Sequence, residues 1–232
     1  MLQPKPKLML KYYINLIFVL FVTSLFAQTK DSIIITHKYG LRVGIDLYGP
    51  LQNYITPNKK NFEIVADYRL SYKLFIAGEL GKTDNLTKLD YMQFNTNGTY
   101  LKAGIDYNTY QNWLGMDNMV YFGGRIGYSN FSQTLLNYTV NSNPFFIGTP
   151  FTTPQTFDNL NAKWFEIVFG VKAETLNNLY LGFSFRSKFI IATKEPTNFK
   201  NLYIPGFNNV FLNNSGFGFN YTLSYLIPFK KK

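Results

Sequence analysis

Fourteen charged side chains set the chemistry open to this chain. Arg42, Arg69, Lys102, Arg125, Lys172, Arg186 and Lys188 stand against Asp46, Glu63, Asp67, Glu79, Asp106, Glu166 and Glu174, seven of each sign. Each lies in a run whose alternate positions are apolar. Opposite charges brought close together can pair, exchange protons or hold a cation. Proton exchange and nucleophilic attack draw mostly on His and Cys, and the chain has one His and no Cys. That residue, His37, precedes the first patterned run and falls on the side opposite the long loops, so no Ser–His pair at the loop-bearing rim is expected. Glu63, Asp67 and Glu79 read as partners for arginines rather than as a cation cage. The run Gly123-Gly124-Arg125-Ile126-Gly127 lies within a strand pattern, whereas a phosphate loop joins a strand to a helix. The expectation is therefore a structural charge network, with no catalytic residue, no metal and no cofactor.

The elements that carry these charges show a period of two. From Ala162 to Lys188, Phe165, Ile167, Phe169, Val171 and Ala173 alternate with Trp164, Glu166, Val168, Gly170, Lys172 and Glu174. After an Asn-rich turn, Leu179, Leu181, Phe183 and Phe185 alternate with Tyr180, Gly182, Ser184, Arg186 and Lys188. Successive strand side chains point to opposite faces, so this is a hairpin with one apolar wall. Glu166 should face Lys188 and Lys172 should face Gly182. Keeping the faces matched calls for an odd-length loop, Leu176-Asn177-Asn178, with Thr175 facing Leu179 and Asn178 at positive φ. The same pattern predicts strands at Leu41–Tyr48, Phe62–Leu70, Leu74–Gly81, about Thr99–Asn108, Met119–Ser129 and Phe217–Phe229. With the two limbs of the hairpin these make eight, and no helical pattern lies between them.

Connections after the second and sixth strands are short, and those after the first, third, fifth and seventh are long, as in outer-membrane barrels. The connection after the fourth strand fits less well. A soluble barrel also alternates, but with its apolar face inward. Here the polar face holds balanced charges and the glycines Gly44, Gly81, Gly104, Gly123, Gly127, Gly170, Gly182 and Gly218, which suit a narrow interior. Tyr48, Tyr68, Tyr107, Tyr128, Phe185, Tyr225 and Phe229 gather toward strand ends, where membrane interfaces favour aromatics. The predicted fold is thus all-β, an eight-stranded antiparallel up-and-down transmembrane β-barrel with a plugged, salt-bridged lumen. A secreted soluble β-barrel binding an apolar ligand and a small-solute channel are the alternatives. The long loops, 131–161 and 193–214, carry Phe145, Phe146, Phe151, Tyr203 and Phe207. These are candidate contacts for an extracellular or envelope protein partner, or else they fold back over the barrel mouth.

The first 27 residues hold Lys5, Lys7 and Lys11, an apolar run and Ala27 before Gln28, the pattern of a cleavable signal peptide. Residues 28–38 read as a periplasmic lead-in and 39–232 as the barrel. Sec export to the outer membrane of a Gram-negative bacterium follows, with outer-membrane lipid and the barrel assembly machinery as partners. Aromatics make up 19% and charges 16% of the chain, few charges for a water-facing surface. Despite a net charge of +10, no basic stripe appears outside the terminal Lys230–Lys232, which argues against nucleic acid.

Several stretches carry a resemblance: Arg42–Leu47, Phe62–Arg69, Asn112–Met119, Asn178–Ser184, Asn201–Asn208 and Tyr221–Tyr225. On these the chain resembles an uncharacterised family of Bacteroidetes-type outer-membrane β-barrel proteins of unknown function. The resemblance implies fold and location, and brings no catalytic residues.

Overall fold

A computed structural model describes residues 38–55, 58–112, 117–139, 150–197, 200–211 and 213–231. The predicted signal peptide, His37, Phe145 and Phe146 lie outside the described residues. In chain order the elements are β1 (Lys38–Asp46), α1 (Tyr48–Ile55), β2 (Lys59–Arg69), β3 (Leu74–Leu89), β4 (Met92–Asn108), β5 (Met119–Thr139), β6 (Pro150–Phe151), β7 (Gln155–Leu176), β8 (Leu179–Thr193), β9 (Tyr203–Ile204), β10 (Asn208–Asn209) and β11 (Ser215–Lys231). Eight strands, β1, β2, β3, β4, β5, β7, β8 and β11, pair antiparallel with their neighbours, and β11 returns to β1. This is the predicted up-and-down ring. Lys38 pairs with Lys231, so the start of β1 and the end of β11 lie at the end that carries the short β2–β3 and β7–β8 turns.

Lower strand segments turn charge inward and large apolar groups outward. Arg42, Asp46, Glu63, Asp67, Arg69, Glu79, Lys102, Asp106, Arg125, Glu166, Arg186 and Lys188 are buried, whereas Ile105, Ile126 and Phe169 are more than half exposed. Of the ring-end aromatics, Tyr68, Tyr107, Tyr128, Phe185, Tyr225 and Phe229 are exposed on strands; Tyr48 is exposed on α1.

The strands run further than their apolar rows suggest. β3 and β4 stay paired from Lys82↔Thr99 to Leu89↔Met92, so the expected loop at 82–91 is ladder almost to its tip. β5 and β7 likewise absorb much of the expected 131–161 loop. Polarity inverts in these extensions. On β4 the outward row passes from Tyr107, Ile105, Ala103 and Leu101 to Thr99, Asn97 and Asn95, while Tyr100 and Phe94 turn inward and are buried. On β5 it passes from Val120, Phe122, Ile126 and Tyr128 to Asn130, Ser132 and Thr134, with Phe131 and Leu135 buried inside. Below the crossover the barrel is apolar outside; above it, the barrel is built like a water-soluble sheet with an apolar core.

Two local expectations are corrected. β1 ends at Asp46, and Gly49-Pro50 fall in the first turn of α1 rather than in a loop. Early helical amides have no intrahelical acceptor, so Pro50 loses nothing there. Asp46 accepts the Gly49 N–H at 3.2 Å, and Leu51 N–H donates to Leu47 O at 3.1 Å. At the β7–β8 turn, Glu166↔Lys188 and Lys172↔Gly182 pair as expected and Asn178 has φ 65°. The loop itself is two residues, Asn177-Asn178, because Leu176 pairs with Leu179. A register shift between Glu174 and Leu176 leaves Thr175 as a bulge. That bulge keeps the faces matched where a third loop residue was expected.

Candidate functional site

Among the described residues the inward charges pair in four groups, of which one joins eight residues. At the turn end, Lys38 reaches Glu174 at 2.7 Å, Arg69 pairs with Asp117, and Asp67 takes both Arg42, at 2.7 Å, and Lys172. Higher up, Glu79 is shared by Arg186 at 2.5 Å, Lys102 at 2.9 Å and Arg125 at 3.3 Å. Asp106 takes Arg125 at 2.8 Å, Glu63 takes Lys102 at 2.8 Å, and Glu166 takes Arg186 at 3.2 Å. Lys188 stands 3.8 Å from Glu166 and donates to the carbonyls of Gly206 at 2.8 Å and Phe207 at 3.3 Å. Tyr100 and Asn220 donate to Glu63, and Trp164 donates to Glu166 at 2.7 Å. Neutral donors thus fill acceptor positions that the cations leave free, as a buried network requires.

Thirteen of the fourteen predicted lumen residues join ion pairs. Among the described residues Asp46 finds no cation; it accepts backbone N–H groups from Gly49 and Tyr221. Lys38 and Asp117 enter the network without having been singled out. Asp117 belongs to the β4–β5 connection, where a strand pattern gives no signal, and Lys38 is separated by one residue from the first glycine of β1. Lumen cavities beside Arg186 and beside Lys102 measure about 20 Å³ each, room for about one water apiece. Among the described residues, no group of three metal-ligating side chains comes together.

Above the charges sits an apolar plug. Tyr203, Ile204 and Phe207, from the segment after β8, are at most 1% exposed. They pack on Tyr100, Phe131, Leu160, Trp164, Phe94 and Leu135. Gly206 lies at φ 79°, where its missing Cβ leaves space for the Tyr100 ring. Burial raises the Tyr203 phenol above its ordinary range. Tyr203 and Phe207 are therefore not surface contacts: they are the core of the upper barrel, and the fold-back alternative holds for them. Phe151 is exposed and stacks on Tyr138 at 4.9 Å. Close by, Tyr91, Met92, Tyr138, Thr139, Gln155 and Phe157 line an open cleft of about 360 Å³ at the distal end.

A family profile matches residues 9–232, nearly the whole chain. The chain belongs to the DUF6048 family. That family is described as a domain of unknown function, so membership brings no activity to the DUF6048 barrel. No curated protein matches it. Among solved structures it is similar to that of Ail, the attachment invasion locus protein of Yersinia pestis. The TM-score is 0.41 at 8% identity, covering 82% of this chain and 97% of Ail. At that distance nothing about partners passes from Ail to the DUF6048 chain.

Proposed function

We propose that this protein is a non-conducting, non-enzymatic outer-membrane barrel of a Gram-negative cell whose raised distal end carries an interaction surface. The inversion of polarity along β4 and β5 carries this reading. Hydrocarbon favours the lower outward rows and water favours the upper ones, so the crossover at Leu101/Thr99 and Tyr128/Asn130 marks an interface. A soluble barrel would have the lower faces reversed. The ion-paired lumen supports a stiff anchor rather than a pore, since eight strands leave little more room than side chains fill. The distal cleft beside Phe151 is the surface offered to a protein partner.

Fractionation and gel mobility test the reading together. The protein should sediment with outer membranes, need detergent for release, and migrate differently before and after boiling. Release into the soluble periplasm without detergent would overturn it.

A further inference from the structure

Among the described residues the barrel wall has one seam. β11 pairs with β8 up to Ser215↔Phe189, but with β1 only up to Thr222↔Asp46. β2 pairs with β3 from Lys59 onward, but with β1 only from Ile64 to Tyr68. In the interval stands α1, not a strand. Two side chains and one backbone amide there imitate the missing ladder. Asn53 accepts the Asn61 N–H at 2.9 Å and donates to the Asn61 carbonyl at 3.4 Å. Asp46 accepts the Tyr221 N–H at 2.9 Å, and Leu47 donates to the Tyr221 carbonyl at 2.6 Å. Beyond Tyr221, Phe219 and Phe217 pair only with β8.

The helix filling this seam has two faces. Leu51, Tyr54 and Ile55 are 58%, 89% and 70% exposed and share a side at three- and four-residue spacing. On the other side, Asn53 holds β2 and Gln52 lines the small inner cavity, its Oε1 without a hydrogen-bond partner among the described residues. Outside, Leu47, Tyr48 and Leu51 face Phe183, Phe219 and Tyr221 across a groove of about 230 Å³. Phe183, Phe219 and Tyr221 continue the outward apolar rows of Leu181, Leu223 and Tyr225, so the groove opens where those rows meet lipid.

We propose that this groove binds one acyl chain of a membrane lipid at the seam between α1 and β11. The proposal rests on the membrane-spanning reading. Within hydrocarbon no hydrophobic transfer favours the chain; close packing does. A flat wall touches a chain on one side, whereas this groove offers the helix on one side and phenyl rings on the other. A partner's β-strand would first have to displace α1 from its ties at Asp46 and Asn53. An acyl chain uses the groove as it stands.

The absence of Cys permits clean labelling. Full-length Ile55→Cys and Ile105→Cys, each bearing a bimane, are placed in vesicles of phosphatidylethanolamine with brominated acyl chains and then extracted into detergent. Ile55 lies one turn from Leu51 on the same side of the helix and does not line the groove. Both labels should be quenched in the vesicles. After extraction, the label at 55 should stay quenched several-fold more than the label at 105. Equal loss at both sites would mean only exchanging boundary lipid and would overturn the proposal. Quenching at 105 but not at 55 in vesicles would mean that protein covers the groove, which also overturns it. Quenching at neither would sink the membrane reading along with the site. As a second measurement, native mass spectrometry should find one retained lipid on the unmodified chain and none on Leu51→Trp, which fills the groove from an exposed position. Equal retention by both chains would contradict the site.

Discussion

Glu79 on β3 meets Arg186 on β8 at 2.5 Å across the lumen, joining opposite arcs of the ring. The same carboxylate serves Lys102 and Arg125. Glu79→Leu therefore leaves three buried cations each short of an acceptor, although Glu63, Asp106 and Glu166 remain as second partners. Breaking a buried pair from one side costs about 3–5 kcal/mol. Urea unfolding in lipid vesicles should show a loss of that order, and an unchanged midpoint would contradict the network.

Two glycines on opposite faces of the wall should behave oppositely. A Cβ on Gly127 would lie 2.2 Å from the Trp164 ring, whereas one on Gly78 meets nothing nearer than 3.8 Å. Gly127→Ala should destabilise by about 1–3 kcal/mol through overpacking. Gly78→Ala, which only removes backbone freedom from the unfolded chain, should be neutral or stabilising by about 0.4–1 kcal/mol. The same unfolding assay, run in parallel, decides it.

Position along one outward row should set the cost of a charge. Ile126 lies below the crossover on β5 and Asn130 above it. Ile126→Lys should cost about 2–4 kcal/mol, and Asn130→Lys about 0–1 kcal/mol. Similar costs at both positions would show that the crossover does not mark a hydrocarbon boundary.

Removing the plug should loosen the distal segment without opening a pore. Phe207→Ala truncates a buried ring, a change that costs about 3–5 kcal/mol when the site cannot collapse. External protease should then cut faster between β8 and β11. Planar-bilayer recordings should still show no stable conductance, because the ion pairs beneath are untouched. Large steady currents from this variant would make the plug, not the charges, the seal.

The lower barrel was legible in the sequence because one parity rule holds along each strand there. On β4, odd-numbered residues from Leu101 to Tyr107 are the apolar ones, and the charges Lys102 and Asp106 fall inward by default. The upper barrel was not, because that rule reverses. Phe94 and Tyr100, even-numbered, become the buried rings while Asn95, Asn97 and Thr99 face out. A search for one continuous apolar face reads such a stretch as loop. Helix α1 escaped for a different reason: at eight residues beginning Tyr-Gly-Pro, it depends on Asp46, Asn53 and its neighbouring strands rather than on intrinsic propensity. Lys38 and Asp117 were missed because their partners, Glu174 and Arg69, are remote in the chain and only ring closure brings them together.

The pairing of β1 with β11 has a consequence in time. The ring's final joint unites the first described strand with the last, so no shorter length of chain is a finished barrel. Until β11 arrives, β1 keeps an open edge and the charged interior has no far wall. Closure must therefore wait until β11 has been made. A truncation that removes the closing strand takes away the enclosure itself, and with it the burial that the ion pairs around Glu79 depend on.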